Sequence, residues 1–320
     1  MSVVGRVNER WLVVNERLGG IALPAALLVL AVALAVMQPA FLSVANLIGI
    51  LRQVALVGIM AAAMTFVIMT GGIDLSVGPV LAVAGLVAVL SLDAGAALPV
   101  ALSLSLLLGL AVGLLNGSLI AFLRLPPIIV TLSMLSMVRG SGLLVGGPDL
   151  HGVRGQPGFS FIGTGSVLGL PFSVWLFLGV AATLLFAQKR TPLGLVVSAL
   201  GDNERAAWLS GHRTRLTTMW LYGLCGLCAA LAGIIQASQV HTGSATYGEF
   251  GTELDVIAAV VLGGTQLTGG KGSVARTVLG VLFLGTLNNG MNILNVPIDI
   301  QLIAKGVIIA AALGVGQMKS

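Results

Sequence analysis

The stretch from Pro171 to Thr217 reads PFSVWLFLGVAATLLFA (171–187) and then QKRTPLGLVVSALGDNERAAWLSGHRTRLT (188–217). The first part has no charge and, as a helix rising 1.5 Å per residue, reaches about 25 Å, close to the hydrocarbon thickness that a membrane span must cover. The second part carries five of the sixteen Lys and Arg residues. Windows like the first recur along the whole chain. Only 8% of the 320 residues are charged and 57% are hydrophobic, with a mean hydropathy of +1.06; soluble domains are roughly 25% charged. The fold class is therefore all-α, a polytopic integral membrane protein forming one transmembrane domain over residues 1–320. The forty-four glycines, interleaved with Leu, Val and Ala, suit close helix–helix approach in lipid.

About ten transmembrane helices are expected, at 21–37, 46–69, 79–93, 97–123, 126–146, 171–187, 216–239, 252–263, 274–295 and 298–316. The third and eighth are short for a full crossing, and either extend into polar neighbours or lie half-buried in the bundle. With both termini cytoplasmic, twelve of the sixteen basic residues fall inside, leaving Arg52, Arg139, Arg154 and Lys305. The opposite orientation would put the basic 188–217 island outside, against the positive-inside bias. The longest external loop is then 147–170, either part of a docking surface or only a connector. No cleavable leader is read, because the first apolar run starts near Ile21 after Arg6, Arg10 and Arg17, with no A-x-A site following.

Several function classes are excluded on these grounds. The net charge of +5 reads as topology rather than nucleic-acid binding. Cys225 and Cys228 lie on one helix face in an apolar run and read as packing. The segment Gly263–Ser273 is glycine-rich with Lys271, but Gly272 separates Lys271 from Ser273 and no strand precedes it, so it is no phosphate loop. No ATP, metal or other cofactor is expected on this chain. No paired catalytic carboxylates, zinc cluster or nucleophile–base set appears either, so it is not an enzyme.

Two polar features remain. Thr70-Gly71-Gly72-Ile73-Asp74-Leu75-Ser76-Val77-Gly78-Pro79 stops one helix and starts another, with Asp74 or Ser76 as cap. It is either a break lining a substrate path or gate, or a capped cytoplasmic turn. Within spans lie Asn116, Arg139, Asp255, Asn288, Asn289, Asn292 and Lys305, which are helix-packing groups or path residues. Ile73-Asp74-Leu75 followed by Gly113–Gly117 is echoed by Leu254-Asp255-Val256 followed by Gly285–Gly290, five spans later. An odd spacing would invert one half relative to the other, so the echo is consistent with an inverted internal repeat. The path or gate candidates are thus Gly71, Gly72, Asp74, Ser76, Asn116, Asp255 and Asn288.

In the island, Asp202 reads as an N-cap, Glu204 as a first-turn acid and Gly211 as a terminator, with Ala206, Ala207, Trp208 and Leu209 forming a small apolar surface. So short a helix is unstable alone and needs a groove or the membrane surface to hold it.

Four segments in series resemble membrane permeases of the ribose-type branch of ABC sugar importers: MTFVIMTGGIDLSVGPVLAVAG (64–85), GLLNGSLIAFLRLPPIIVTLSML (113–135), LGDNERAAWLSGH (200–212) and ELDVIAAVVLGGTQLTGGKGSVARTVLG (253–280). The likeness covers about 45–315. It implies a permease in the bacterial cytoplasmic (inner) membrane, paired with a second copy or a homologous permease. It further implies a cytoplasmic ATPase with two fused nucleotide-binding domains, which holds the ATP and Mg, and an extracytoplasmic sugar-binding protein. By the same resemblance the island holds the coupling helix, and Gly201, Asp202, Asn203, Glu204, Ala206, Ala207 and Gly211 would enter the ATPase groove. Lys271 departs from the family pattern, where a smaller or apolar residue is expected. The rival readings are an ion-gradient-driven secondary transporter using the breaks near Asp74 and Asp255, and a non-transporting scaffold.

Overall fold

The computed structural model describes residues 21–248 and 251–317. All ten expected spans are helices: α1 (Ile21–Met37), α2 (Val44–Met69), α3 (Val77–Asp93), α4 (Leu98–Leu123), α5 (Pro127–Gly146), α7 (Phe172–Arg190), α10 (Thr214–Val240), α11 (Thr252–Leu262), α12 (Val274–Ile293) and α13 (Ile298–Gln317). Between them lie three shorter helices, α6 (Pro157–Thr164), α8 (Pro192–Asp202) and α9 (Glu204–Leu209). Among the described residues five helices, α2, α4, α5, α7 and α10, are long and apolar enough by themselves to cross a bilayer. The chain is an all-α polytopic membrane protein.

Local chemistry sets the ends of these helices. The Ser43 side chain accepts from Asn46 N at the start of α2, and the Thr191 side chain accepts from Leu193 N at the start of α8. Pro127 and Pro192 occupy first-turn positions, where a missing N–H costs nothing. Burial is distributed as lipid requires. Leu107, Ile129, Leu144 and Phe186 face outward, whereas Thr65, Asp74, Ser76 and Asn116 are buried. In water that outer surface would be one continuous apolar patch.

The centre of the bundle is α10, which packs along α4, α3 and α2. Against α4 the two backbones touch through glycines: a Cβ on Gly113 would lie 2.9 Å from the Gly223 Cα, and one on Gly117 would lie 2.6 Å from the Met219 Cα. Against α3, a Cβ on Gly85 would lie 2.8 Å from the Gly233 carbonyl oxygen. Small residues at such contacts let dispersion and backbone dipoles replace the hydrophobic drive that lipid lacks.

The two short spans have different explanations. In α3 most side chains are buried, so it is an interior helix. After α10 the chain turns at His241, in the left-handed region, and runs back along α3: Gly243 packs on Leu86, and Gly248 on the Gly78 carbonyl. From Leu86 to Gly78 is about 12 Å along the helix. Thus α11 begins deep in the bundle as a half-length helix, an arrangement that needs surrounding protein to satisfy the irregular backbone before it.

The 147–170 loop is folded onto the bundle. Its strand β1 (His151–Gly152) pairs with β4 (Thr242–Gly243) after α10, and β2 (Ser166–Val167) pairs with β3 (Leu170–Pro171). Helix α6 is pinned by Ser238, whose hydroxyl accepts from Gly163 N at 2.7 Å and donates to the Phe159 carbonyl. Phe159 itself is fully buried.

Candidate functional site

The island holds two helices, not one. Asp202 is the last residue of α8 rather than an N-cap; the cap of α9 is Asn203, whose Oδ1 accepts from Ala206 N at 3.0 Å. Asparagine serves this role as well as aspartate does, and Pro192 starts a helix one segment earlier than the glycines suggest. Gly211 ends the element with φ +88°, and its N–H donates to the Trp208 carbonyl at 2.9 Å. Asp202, Asn203, Glu204, Ala206, Trp208, Leu209 and Gly211 are exposed, while Ala207 is buried and Gly201 half-buried. The outward face is therefore an acid, a cap and two large apolar side chains. Gly201 and Ala207 belong to the inner side.

Gly201 sits at a three-way backbone junction. A Cβ there would strike the Met69 carbonyl oxygen and Gly270 N, which are themselves hydrogen-bonded at 2.9 Å. Gly269 and Gly270 adopt φ of +94° and +76°, and Gly71 one of +80°, the region where only glycine is unstrained. A Cβ on Gly269 would lie 3.1 Å from Gly71 N, and one on Gly270 would strike the Asp202 carboxylate. Gln188 completes the weld. Its Nε2 donates to the Gly272 carbonyl at 3.0 Å and its Oε1 accepts from Val274 N at 3.0 Å. The end of α2, the end of α8 and the Gly263–Ser273 loop thus form one unit. In that loop Lys271 is exposed, and its carbonyl accepts from Gln266 N.

The chain between α2 and α3 passes from this junction into the protein. Gly72 lies against the Tyr222 ring, the Thr131 hydroxyl donates to the Ile73 carbonyl at 3.1 Å, and Asp74 and Ser76 are buried. Asp74 Oδ1 accepts from Ser76 N at 2.9 Å and from Ser76 Oγ at 2.6 Å, and Asn116 Nδ2 donates to the same Oγ at 2.9 Å. The break is therefore a buried discontinuity tied to α4, α5 and α10, not a solvated turn. Asp74 holds the N–H of Ser76, the residue before α3, while Ser76, already helical in its dihedrals, makes no side-chain cap bond.

The second half of the echoed sequence gathers elsewhere. Asp255 and Asn288, with Gln53, Val54, Val57, Val281, Leu284 and Gly285, line one cavity of about 10 Å³ between α2, α11 and α12. Lys305 of α13 donates to Asp255 Oδ2 at 2.9 Å. Asp74 is joined to Asn116 through Ser76, while Asp255 and Asn288 share the lining of one cavity. In both places the Asn Oδ1 is buried without a partner. Of the other intramembrane groups, Arg139 donates to the Ala245 carbonyl at 3.3 Å, Asn289 pairs reciprocally with Asn46 at 2.7 and 3.0 Å, and Asn292 accepts from Gln301. These three read as helix-packing groups.

Removing one member of a buried pair costs more than removing both, because the survivor keeps its desolvation penalty. Lys305→Met is therefore expected to lower the thermal midpoint of the detergent-solubilised protein by more than Lys305→Met with Asp255→Asn, measured by size-exclusion after heating. An equal loss in both variants would show that the pair does not couple.

Tyr222 and Gln53 escaped the sequence reading, as did the contacts made by Gln188 and by the loop glycines 269 and 270. For Asp255 and Lys305 a signal existed: an acid and a base within spans each require a partner. Nothing local marks Gly269 or Gly270 as touching Gly201.

The family described as branched-chain amino acid transport system / permease component matches residues 46–313. The chain is 40% identical over 295 residues to the ribose import permease protein RbsC of Bacillus subtilis (strain 168), covering 92% of this chain and 91% of that one. It is 42% identical over 299 residues to RbsC of Escherichia coli (strain K12), covering 92% of each. It is also 38% identical over 268 residues to the galactofuranose transporter permease protein YtfT of the same strain, covering 83% of this chain and 78% of that one. No solved structure gives a significant match.

Proposed function

We propose that this chain, which belongs to the branched-chain amino acid transport system / permease component family and within it to the ribose-type ABC sugar permeases, forms the translocation path for a monosaccharide or a related small polar solute. It is a non-catalytic, multi-pass permease subunit of the inner membrane. Our reading adds both termini in the cytoplasm and a second permease copy or homologous permease across a central path. It adds a cytoplasmic ATPase with two fused nucleotide-binding domains carrying ATP and Mg, and an extracytoplasmic sugar-binding protein.

One observation carries the mechanism: Gly71, Gly201 and Gly269 meet backbone to backbone, which gives the α8–α9 element a direct contact with the chain that enters the buried Asp74 break. When the partner ATPase closes on ATP, a seated α9 would be displaced. The glycine junction would carry that displacement to the start of α3 and to α11, exchanging outward for inward access. Gly71, Gly72, Asp74, Ser76 and Asn116 are the gate on this reading, and Asp255 and Asn288 line the path. Asp202, Asn203, Glu204, Ala206 and Gly211 would meet the ATPase, with Gly201 and Ala207 holding the element to the bundle.

Proteoliposomes holding the permease, its cognate ATPase and its receptor test this. Glu204→Ala, or Gly211→Ala, which forces a Cβ into a φ of +88°, is expected to cut uptake about tenfold or more while ATP hydrolysis continues. Normal uptake by both variants with the ATPase bound would remove the coupling role. Uptake by the permease alone, without ATP and under an ion gradient, would replace the whole reading with secondary transport.

A further inference from the structure

We infer that the cavity between α2, α11 and α12 is a hydroxyl-recognising station of the path, with Asn288 and Gln53 discriminating among neutral polyhydroxylated solutes. This rests on the transport reading above. Three observations carry it. Asn288 Oδ1 is buried and has no partner, a costly state for an amide carbonyl unless a donor visits it. Gln53 and Asp255 face the same cavity, whose remaining wall is Val54, Val57, Val281 and Leu284. Amides and aliphatic carbons in one lining match a sugar, which presents hydroxyls and C–H surface together. Charge argues against an ion: Asp255 is the one charged residue in the lining, and Lys305 pairs with it at 2.9 Å.

The cavity is closed here, since 10 Å³ holds at most about one water. A sugar enters only when α12 moves from α2. Gly285 is where they touch, because a Cβ there would strike the Val54 side chain.

The test uses the complete reconstituted transporter with D-ribose, L-arabinose and D-galactose, followed by the monodeoxy analogues of whichever sugar is taken up. The same receptor serves wild type and variant, so its own selectivity cancels when their discrimination ratios are compared. Asn288→Ala is expected to lower discrimination between the sugar and at least one deoxy analogue by about fivefold, the size of one uncharged hydrogen bond. Gln53→Leu, at a half-buried position, is expected to lower it for a hydroxyl as well, and stands as the readout if Asn288→Ala does not insert. Uptake of sugar and every analogue falling in equal proportion would overturn the station while leaving ATP-driven transport intact. No ATP-dependent uptake of any of the three sugars by the wild-type complex would overturn the transport reading and the station with it.

Discussion

Gly201→Val is expected to abolish ATP-driven uptake while leaving the protein inserted and its ATPase attached. A side chain at this position enters the space between the Met69 carbonyl and Gly270 N, which are hydrogen-bonded at 2.9 Å. Neither atom is the tip of a flexible side chain, so the strain cannot relax by a rotamer change. Over-packing costs about 1–3 kcal/mol, and breaking the Gly270–Met69 bond adds about 1 kcal/mol. In the membrane-spanning core that cost would be spread over many contacts. At this junction it separates α8 from α2 and from the Gly263–Ser273 loop, the three segments that must move as one. The exposed face of α9, with Glu204, Trp208 and Leu209, is untouched, so docking survives. The discriminating result is a pull-down that retains the ATPase beside an uptake assay that reads background. Wild-type uptake by Gly201→Val would show that the junction transmits nothing. Gly179→Val, at an exposed position where a Cβ meets nothing within 4 Å, serves as the mild control.

Gly113→Leu is expected to prevent folding rather than transport alone. The Gly113 Cβ would meet the Tyr222 carbonyl oxygen and lie 2.9 Å from the Gly223 Cα, so α4 and α10 would have to part along their seam. That seam also includes Gly109 against Gly226 and Gly117 against Met219. Parting it would strip α10 from the helix it packs against most extensively and withdraw Asn116 from Ser76. Losing close-packed contacts in lipid is not offset by a hydrophobic gain, because tails and leucine are equally apolar. The measurement is the monodisperse fraction after detergent extraction, expected to fall below about a tenth of wild type, beyond the usual 1–3 kcal/mol of a single over-packing change. Gly140→Leu is the matched control, since a Cβ at Gly140 meets nothing. Equal yields of the two variants would remove the seam from the account of stability.

Particular residues show what was legible beforehand. Each expected span appears as a helix within a few residues of its reading, because an 18-residue apolar window is a local property. The Asp74 break was visible as a helix stop and start, yet its burial was not. That depended on Tyr222, Thr131 and Asn116 arriving from three other helices. The cap of α9 was misplaced by one residue, since Asp202 and Asn203 are both good caps and only the Pro192 start of α8 decides between them. In each half the echoed Asp and Asn lie near one another, with Asp74 in the break before α3 and Asp255 on α11.

By itself the sequence determined the class, the helices and the family. Those follow from hydropathy measured against bilayer thickness and from motifs in fixed order, all read along the chain at 1.5 Å per residue. Only the tertiary structure decided that the glycines of three motifs meet at Gly201, that α11 starts inside the bundle, and that Asp255, Asn288 and Lys305 come together. The reason is physical. Contacts between segments tens of residues or more apart are fixed by close packing of whole helices, and a missing Cβ shows its purpose only when the atom that would strike it is in place.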